Sequence, residues 1–150
     1  GRPKEWPVKI VPIFVNTVQF PIPTPQRMWE LGKLLRKAIE SWPGDEKIVV
    51  FGTGGLTHQL QGARAGFMNR EADQDWLAEI GPNPEKYRGW TREQFVETFG
   101  SEGAELIRWR VMRGAMDERV NTVMSHYYAP ASMTGAGMVV LENAAQPEAA

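Results

Sequence analysis

Three glycines and a histidine, set directly behind an apolar run, carry the clearest chemistry in the sequence. Gly52-Thr53-Gly54-Gly55-Leu56-Thr57-His58 follows Ile48-Val49-Val50-Phe51, which reads as a buried strand. Glycines just past a strand let the backbone turn sharply, take positive φ and come close to a ligand. A histidine delivered by such a turn sits at a strand's carboxyl end, where open α/β sheets place their sites. The bland alternative is a turn histidine bonded to backbone. The same glycines could suggest a phosphate cradle, but both the P-loop lysine and the full dinucleotide fingerprint are missing. Glu105 is the second candidate. On a helix it would share a face with Trp109, Met112 and Met116. A carboxylate on an apolar face is costly to bury unless it is paired or metal-bound. The competing reading is an acid helped by the helix dipole, a task for which Glu102 is better placed. His126, beside Tyr127 and Tyr128, reads as structural. Arg64 reads as an anion contact or a surface ion pair, and Trp29 and Trp42 as core.

The elements that must position these residues alternate between β and α. Val8–Val15 reads as a strand, with Pro12 favouring an edge or a bulge. Thr24 caps a helix that opens on Pro25. Its Met28, Leu31, Leu34, Leu35, Ala38, Ile39 and Trp42 form one apolar stripe, suited to lie on a sheet. The strand Lys47–Phe51 and the glycine-rich loop follow. A short helix is expected over Glu71–Ile80. Another opens at the capping-box spacing Thr91-Arg92-Glu93-Gln94, and a long one, capped by Ser101, runs to about Met116. Val123–Tyr128 and Gly137–Glu142 read as further strands.

Composition bounds the rest. A chain of 150 residues can bury one sizeable core. Its net charge of −1 and pI of about 6.2 offer no basic field for nucleic acid or an anionic membrane. With no cysteine, disulfides and thiolate metal sites are excluded, and a reducing cytoplasm is the expected location. No apolar run approaches the roughly 18 residues that span a bilayer, and no signal peptide is read. The opening Gly1-Arg2-Pro3-Lys4-Glu5-Trp6-Pro7 reads as the middle of a protein.

The stretch Gly52-Thr53-Gly54-Gly55-Leu56-Thr57-His58-Gln59-Leu60-Gln61-Gly62-Ala63-Arg64-Ala65-Gly66 resembles the signature of class III extradiol ring-cleavage dioxygenases, in particular the protocatechuate 4,5-dioxygenase β-subunit and gallate dioxygenase types. Val15-Asn16-Thr17-Val18-Gln19-Phe20-Pro21, Gly100-Ser101-Glu102-Gly103-Ala104-Glu105-Leu106, Met112-Arg113-Gly114-Ala115-Met116 and Pro130-Ala131-Ser132 support it, in the family's order and with similar separations. The resemblance covers about Glu5 to Glu142. It implies an α/β fold: a mixed sheet with flanking helices, part of a larger extradiol dioxygenase catalytic domain. Residues 1–142 would be the C-terminal half of that domain and 143–150 a disordered tail.

By the same resemblance, the family's non-haem Fe(II) is held by two histidines of the N-terminal half and one glutamate of the C-terminal half. Glu105 is similar to that glutamate, and His58 to the acid–base histidine that does not ligate iron. Ser132 falls where a serine helps hold the substrate carboxylate. Met133 stands where the family has asparagine, and a thioether cannot donate a hydrogen bond to a carboxylate. Tyr128 replaces a common histidine, with His126 two positions earlier. The implied function is extradiol cleavage of a catechol-type aromatic acid, protocatechuate- or gallate-like, with O2. The implied partners are the aromatic substrate, the N-terminal half of the catalytic subunit and further copies in an oligomer; the need for a small α subunit stays open. A triad of His58, His126 and Glu105 within the chain would take His58 away from its family role. Two other readings compete: a non-catalytic dioxygenase-like accessory domain, and an α/β module that binds an aromatic acid.

Overall fold

The helices begin where their caps dictate. In the computed structural model, which describes residues 7–145, the Thr24 hydroxyl accepts from the Arg27 N–H and opens α1 (Pro25–Glu40) with proline in its first turn. Asn69 caps α2 (Arg70–Glu79) by accepting from the Ala72 N–H. A 3-10 turn, Pro84–Tyr87, leads to α3 (Arg92–Phe99), which Thr91 and Gln94 open as a reciprocal capping box. A second 3-10 helix, Gly103–Arg108, runs into the short α4 (Trp109–Gly114). The antiparallel hairpin β1 (Val120–Tyr128) and β2 (Ala136–Asn143) closes the order, with an irregularity between Thr122 and Met124.

The core is aromatic and lies between α2, α3 and the Gly103–Arg108 helix. Trp76 meets Tyr87 at 4.6 Å and takes Phe95 and Phe99 edge-on at 5.8 and 5.9 Å, arrangements that the ring quadrupole favours. Leu77, Ile80, Leu106, Ile107 and Leu56 complete it. The hairpin lies across this core through Gly137, where a Cβ would press on Leu56 and Leu77. Two buried arginines tie the helices together. Arg110 donates to the carbonyls of Pro25 and Pro84, and Arg113 to those of Gly81, Asp117 and Glu118, while both guanidinium groups lie over Trp29. Burial lowers the Arg110 guanidinium to about 10.

The α/β character is as expected, but several elements differ in detail. The sheet among the described residues is the β1–β2 pair alone. Segments 8–15 and 47–51 run without strand partners and leave Ile10, Val11, Phe14, Val49 and Phe51 exposed. A strand exists only where its backbone groups pair, whatever its side-chain pattern, and nothing among the described residues pairs these. The α1 stripe meets a helix rather than a sheet. Gly32 approaches the backbone of Val111 and Gly114 on α4, while Leu34 and Trp42 stay exposed. The single helix expected from Ser101 is split. Ser101 donates its hydroxyl to Glu102 rather than capping, and the first N–H groups bond back to the loop: Gly103 to His58 O and Ala104 to Gly100 O. At the far end, β2 reaches Asn143 and Ala144 donates to Arg119 O, both within the expected tail of 143–150; residues 146–150 lie outside the described part. Among the described residues no helix is long and apolar enough to cross a membrane.

Candidate functional site

Two consecutive glycines separate the two leading site residues. Gly54 takes φ +144°, in the region that side chains rarely adopt. A Cβ there would stand 2.8 Å from the Glu105 carbonyl oxygen and 3.0 Å from its Cβ. At Gly55 a Cβ would stand 2.6 Å from His58 Cε1 and 2.9 Å from Nδ1. The imidazole therefore lies on the bare backbone of Gly55, and Glu105 against that of Gly54. The indole N–H of Trp109 donates to Gly54 O at 3.2 Å and pins the turn to the start of α4.

The ring of His58 is tied to its own turn. Its Nδ1 lies 2.7 Å from Leu56 O. A carbonyl only accepts, so Nδ1 carries a proton, and in the neutral ring the lone pair is then on Nε2. The backbone of His58 is gripped on both sides: its N–H donates to Phe99 O at 3.0 Å, and its carbonyl accepts from the Gly103 N–H at 3.3 Å. Glu102 holds the next stretch by accepting from the Leu60 N–H at 3.1 Å. The Ser101 hydroxyl, first, and that amide hold the Glu102 carboxyl below its usual range against the opposing effect of burial.

Glu105 is half-buried and its Oε2 lies 2.5 Å from Arg108 Nη2. The 3-10 geometry causes this pairing, because residues three apart eclipse one another there. A carboxylate suits a divalent iron as one oxygen ligand. It does not make a site alone: among the described residues no three His, Asp or Glu side chains converge. That weighs against a triad of His58, His126 and Glu105. His126 is exposed on β1, opposite Met138.

Ser132 is exposed in the turn joining β1 to β2, which closes with the Met133 N–H on Pro130 O. That turn does reach the glycine loop. Thr134 bridges to His58, the Gly135 N–H donates to Thr57 O at 2.8 Å, and Met133, at φ 55°, lies against Gly66. The structure thus brings the backbones of His58 and the Ser132 turn together, and sets Glu105 across Gly54. Arg64 donates to Glu97 O and stacks on Phe67 at 3.9 Å rather than pairing with a carboxylate of the described residues. A cavity of about 290 Å³ lies elsewhere, lined by Asn69, Asp75, Lys86, Tyr87 and Trp90 among others, and contains none of the three candidates.

Asp73 escaped the sequence reading. Fully buried on α2, it accepts from the Thr57 N–H at 2.8 Å, the Thr57 hydroxyl at 2.6 Å and the Tyr127 hydroxyl at 2.9 Å. Burial, then Asp73, pushes the Tyr127 phenol up to about 12. A signal was present: Asp73, Trp76, Leu77 and Ile80 share one helical face, at offsets of three, four and seven.

Residues 3–141 match the family described as the catalytic LigB subunit of aromatic ring-opening dioxygenase. A gallate dioxygenase of Pseudomonas putida is 43% identical over 140 residues, which cover 93% of this chain and 41% of that protein. A 2,3-dihydroxyphenylpropionate/2,3-dihydroxicinnamic acid 1,2-dioxygenase of Photorhabdus laumondii is 32% identical over 76 residues, 51% of this chain and 23% of that protein. The chain therefore spans less than half the length of the curated relatives it matches.

Proposed function

Because the chain belongs to the LigB family of catalytic subunits of aromatic ring-opening dioxygenases, we propose that it carries the proton-handling and substrate-carboxylate side of an extradiol dioxygenase site. The reaction is Fe(II)-dependent cleavage, by O2, of a catechol-type aromatic acid of gallate or protocatechuate type. The observation that supports this best is the setting of His58: Nδ1 tied to Leu56 O, the ring lying on Gly55, and the Glu105 backbone and Cβ lying against the adjacent Gly54.

Each residue then has a distinct task. His58 Nε2 takes a proton from a catechol hydroxyl and returns it later, work suited to imidazole, which as a class titrates near neutral pH. Glu105 supplies one oxygen ligand from a rigid helical support. Ser132 donates its hydroxyl to the substrate carboxylate. Bound iron would supply open positions for the two catechol oxygens and O2. Among the described residues no three-residue ligand set forms around Glu105, which fits a site whose other ligands come from another part of the catalytic subunit. The exposed apolar segments 8–15 and 47–51 are suited to pair with that part as strands, covering Phe14 and Phe51.

The test is direct. The full catalytic subunit containing this chain is given gallate or protocatechuate with Fe(II) and O2, and the ring-opened acid is measured. One O2 consumed per ring opened is the expected result. No ring opening, combined with catechol binding that persists without iron or air, would favour the aromatic-acid-binding module instead. The absence of a three-residue ligand set among the described residues keeps that second reading in view.

A further inference from the structure

Asp73 is a carboxylate with 0% of its surface exposed. A buried acid is expensive unless several donors satisfy it. Asp73 is not needed to cap α2, because Asn69 already does so. Its three hydrogen bonds instead leave the helix and go to two other elements. Two reach Thr57, the residue before His58, and the third reaches Tyr127 on β1. Three hydrogen bonds of 2.8, 2.6 and 2.9 Å converge on this one buried group, which makes it a stiff junction. Gly135 sits against the same carboxylate, and a Cβ there would collide with Asp73 Oδ2. From Gly135 the chain runs back through Thr134, bridged to His58, to Ser132.

The geometry points to Asp73 as a positioning residue for the reaction. Through Thr57 it fixes the peptide that aims the His58 ring at Leu56 O. Through Tyr127 and the contact at Gly135 it holds the Ser132 turn in register with that ring. The proton carrier and the group that grips the substrate carboxylate are thereby referenced to one buried side chain. This rests on the reading of His58 and Ser132 given under the proposed function.

Two readouts test it. The first is the His58 tautomer in the 150-residue chain, read from imidazole nitrogen shifts. The native chain shows the Nδ1–H form; Asp73→Asn and Thr57→Val should show both tautomers, and Thr57→Ser should restore the native pattern. The second is steady-state kinetics in the full catalytic subunit. There Thr57→Val and Asp73→Asn should lower kcat by roughly 10- to 10²-fold, the worth of a small misplacement of a catalytic group. Tyr127→Phe should raise KM for the aromatic acid more than it lowers kcat, the mark of weakened ground-state binding. If Asp73→Asn does not fold, Thr57→Val and Tyr127→Phe carry the test. Folded variants that keep a single Nδ1–H tautomer and native kcat and KM would overturn the role of Asp73. A parallel His58→Phe variant keeps the two ideas apart. If its turnover is native, the reading of His58 fails, while the tautomer still decides whether Asp73 positions the ring.

Discussion

His58 and Asp73 show how differently two site residues can write themselves into a sequence. His58 announces itself, because glycines on one side and an apolar run on the other have few uses besides presenting a side chain. Asp73 hides, because an acid in the first turn of a helix is the ordinary complement to the dipole. Only its partners, Thr57 and Tyr127, distant in sequence, reveal its purpose. Gly55 is where this local geometry can be disturbed most lightly. Alanine there would push on the ring of His58, which can swing away, so the fold should survive. A displacement of about 1 Å predicts a loss of turnover of up to roughly 10²-fold, measured in the full subunit beside an unchanged circular dichroism spectrum. The phenol of Tyr127 predicts an alkaline limb of stability. Its raised folded value, about 12, means that the neutral form is favoured in the fold. That contribution is complete below the unfolded tyrosine value of about 10 and fades as pH climbs from there towards 12. Tyr87, also raised by burial, acts in the same direction. Urea unfolding across that range should show stability falling with pH, less steeply in Tyr127→Phe.

Elements with local signals are the ones the sequence makes legible. The caps at Thr24 and Thr91 and the hairpin pattern lie within a few residues of what they control, and all three elements form. Elements that depend on distant partners are not legible in this way. Val8–Val15 and Lys47–Phe51 have strand composition but no partner strand among the described residues, and Ser101 turns its hydroxyl to Glu102 while the Gly103 amide bonds to His58 O and that of Ala104 to Gly100 O. The α1–α4 contact was likewise misread, since an apolar stripe does not say whether a helix or a sheet will cover it. The closeness of that contact predicts the effect of Gly32→Ala. The new methyl would meet the Gly114 backbone at 2.8 Å. Overpacking of this kind outweighs the gain in helix propensity, for a net loss on the order of 1–2 kcal/mol. Chemical denaturation of the two chains checks it, and equal midpoints would mean that the helices can part without cost.

At the scale of the whole molecule, a packed aromatic core holds the His58 turn while segments 8–15 and 47–51 leave apolar side chains exposed. Aromatic packing around Trp76 and the Asp73 junction fix the His58 turn from within this chain. Glu105 stands beside that turn, and no cluster of three His, Asp or Glu side chains forms among the described residues. The proposed function therefore divides the labour: His58 would move a proton without holding metal, and Glu105 would hold metal without moving a proton. Iron content and turnover, determined on the same preparations of the full catalytic subunit, test this division most directly. His58→Phe should retain iron at the native level and lose roughly 10²–10⁴-fold in turnover, the usual worth of a positioned proton-transfer group. Glu105→Gln should lose most of its iron while keeping its fold. Iron lost in parallel with activity in His58→Phe, or full iron and activity in Glu105→Gln, would contradict the account.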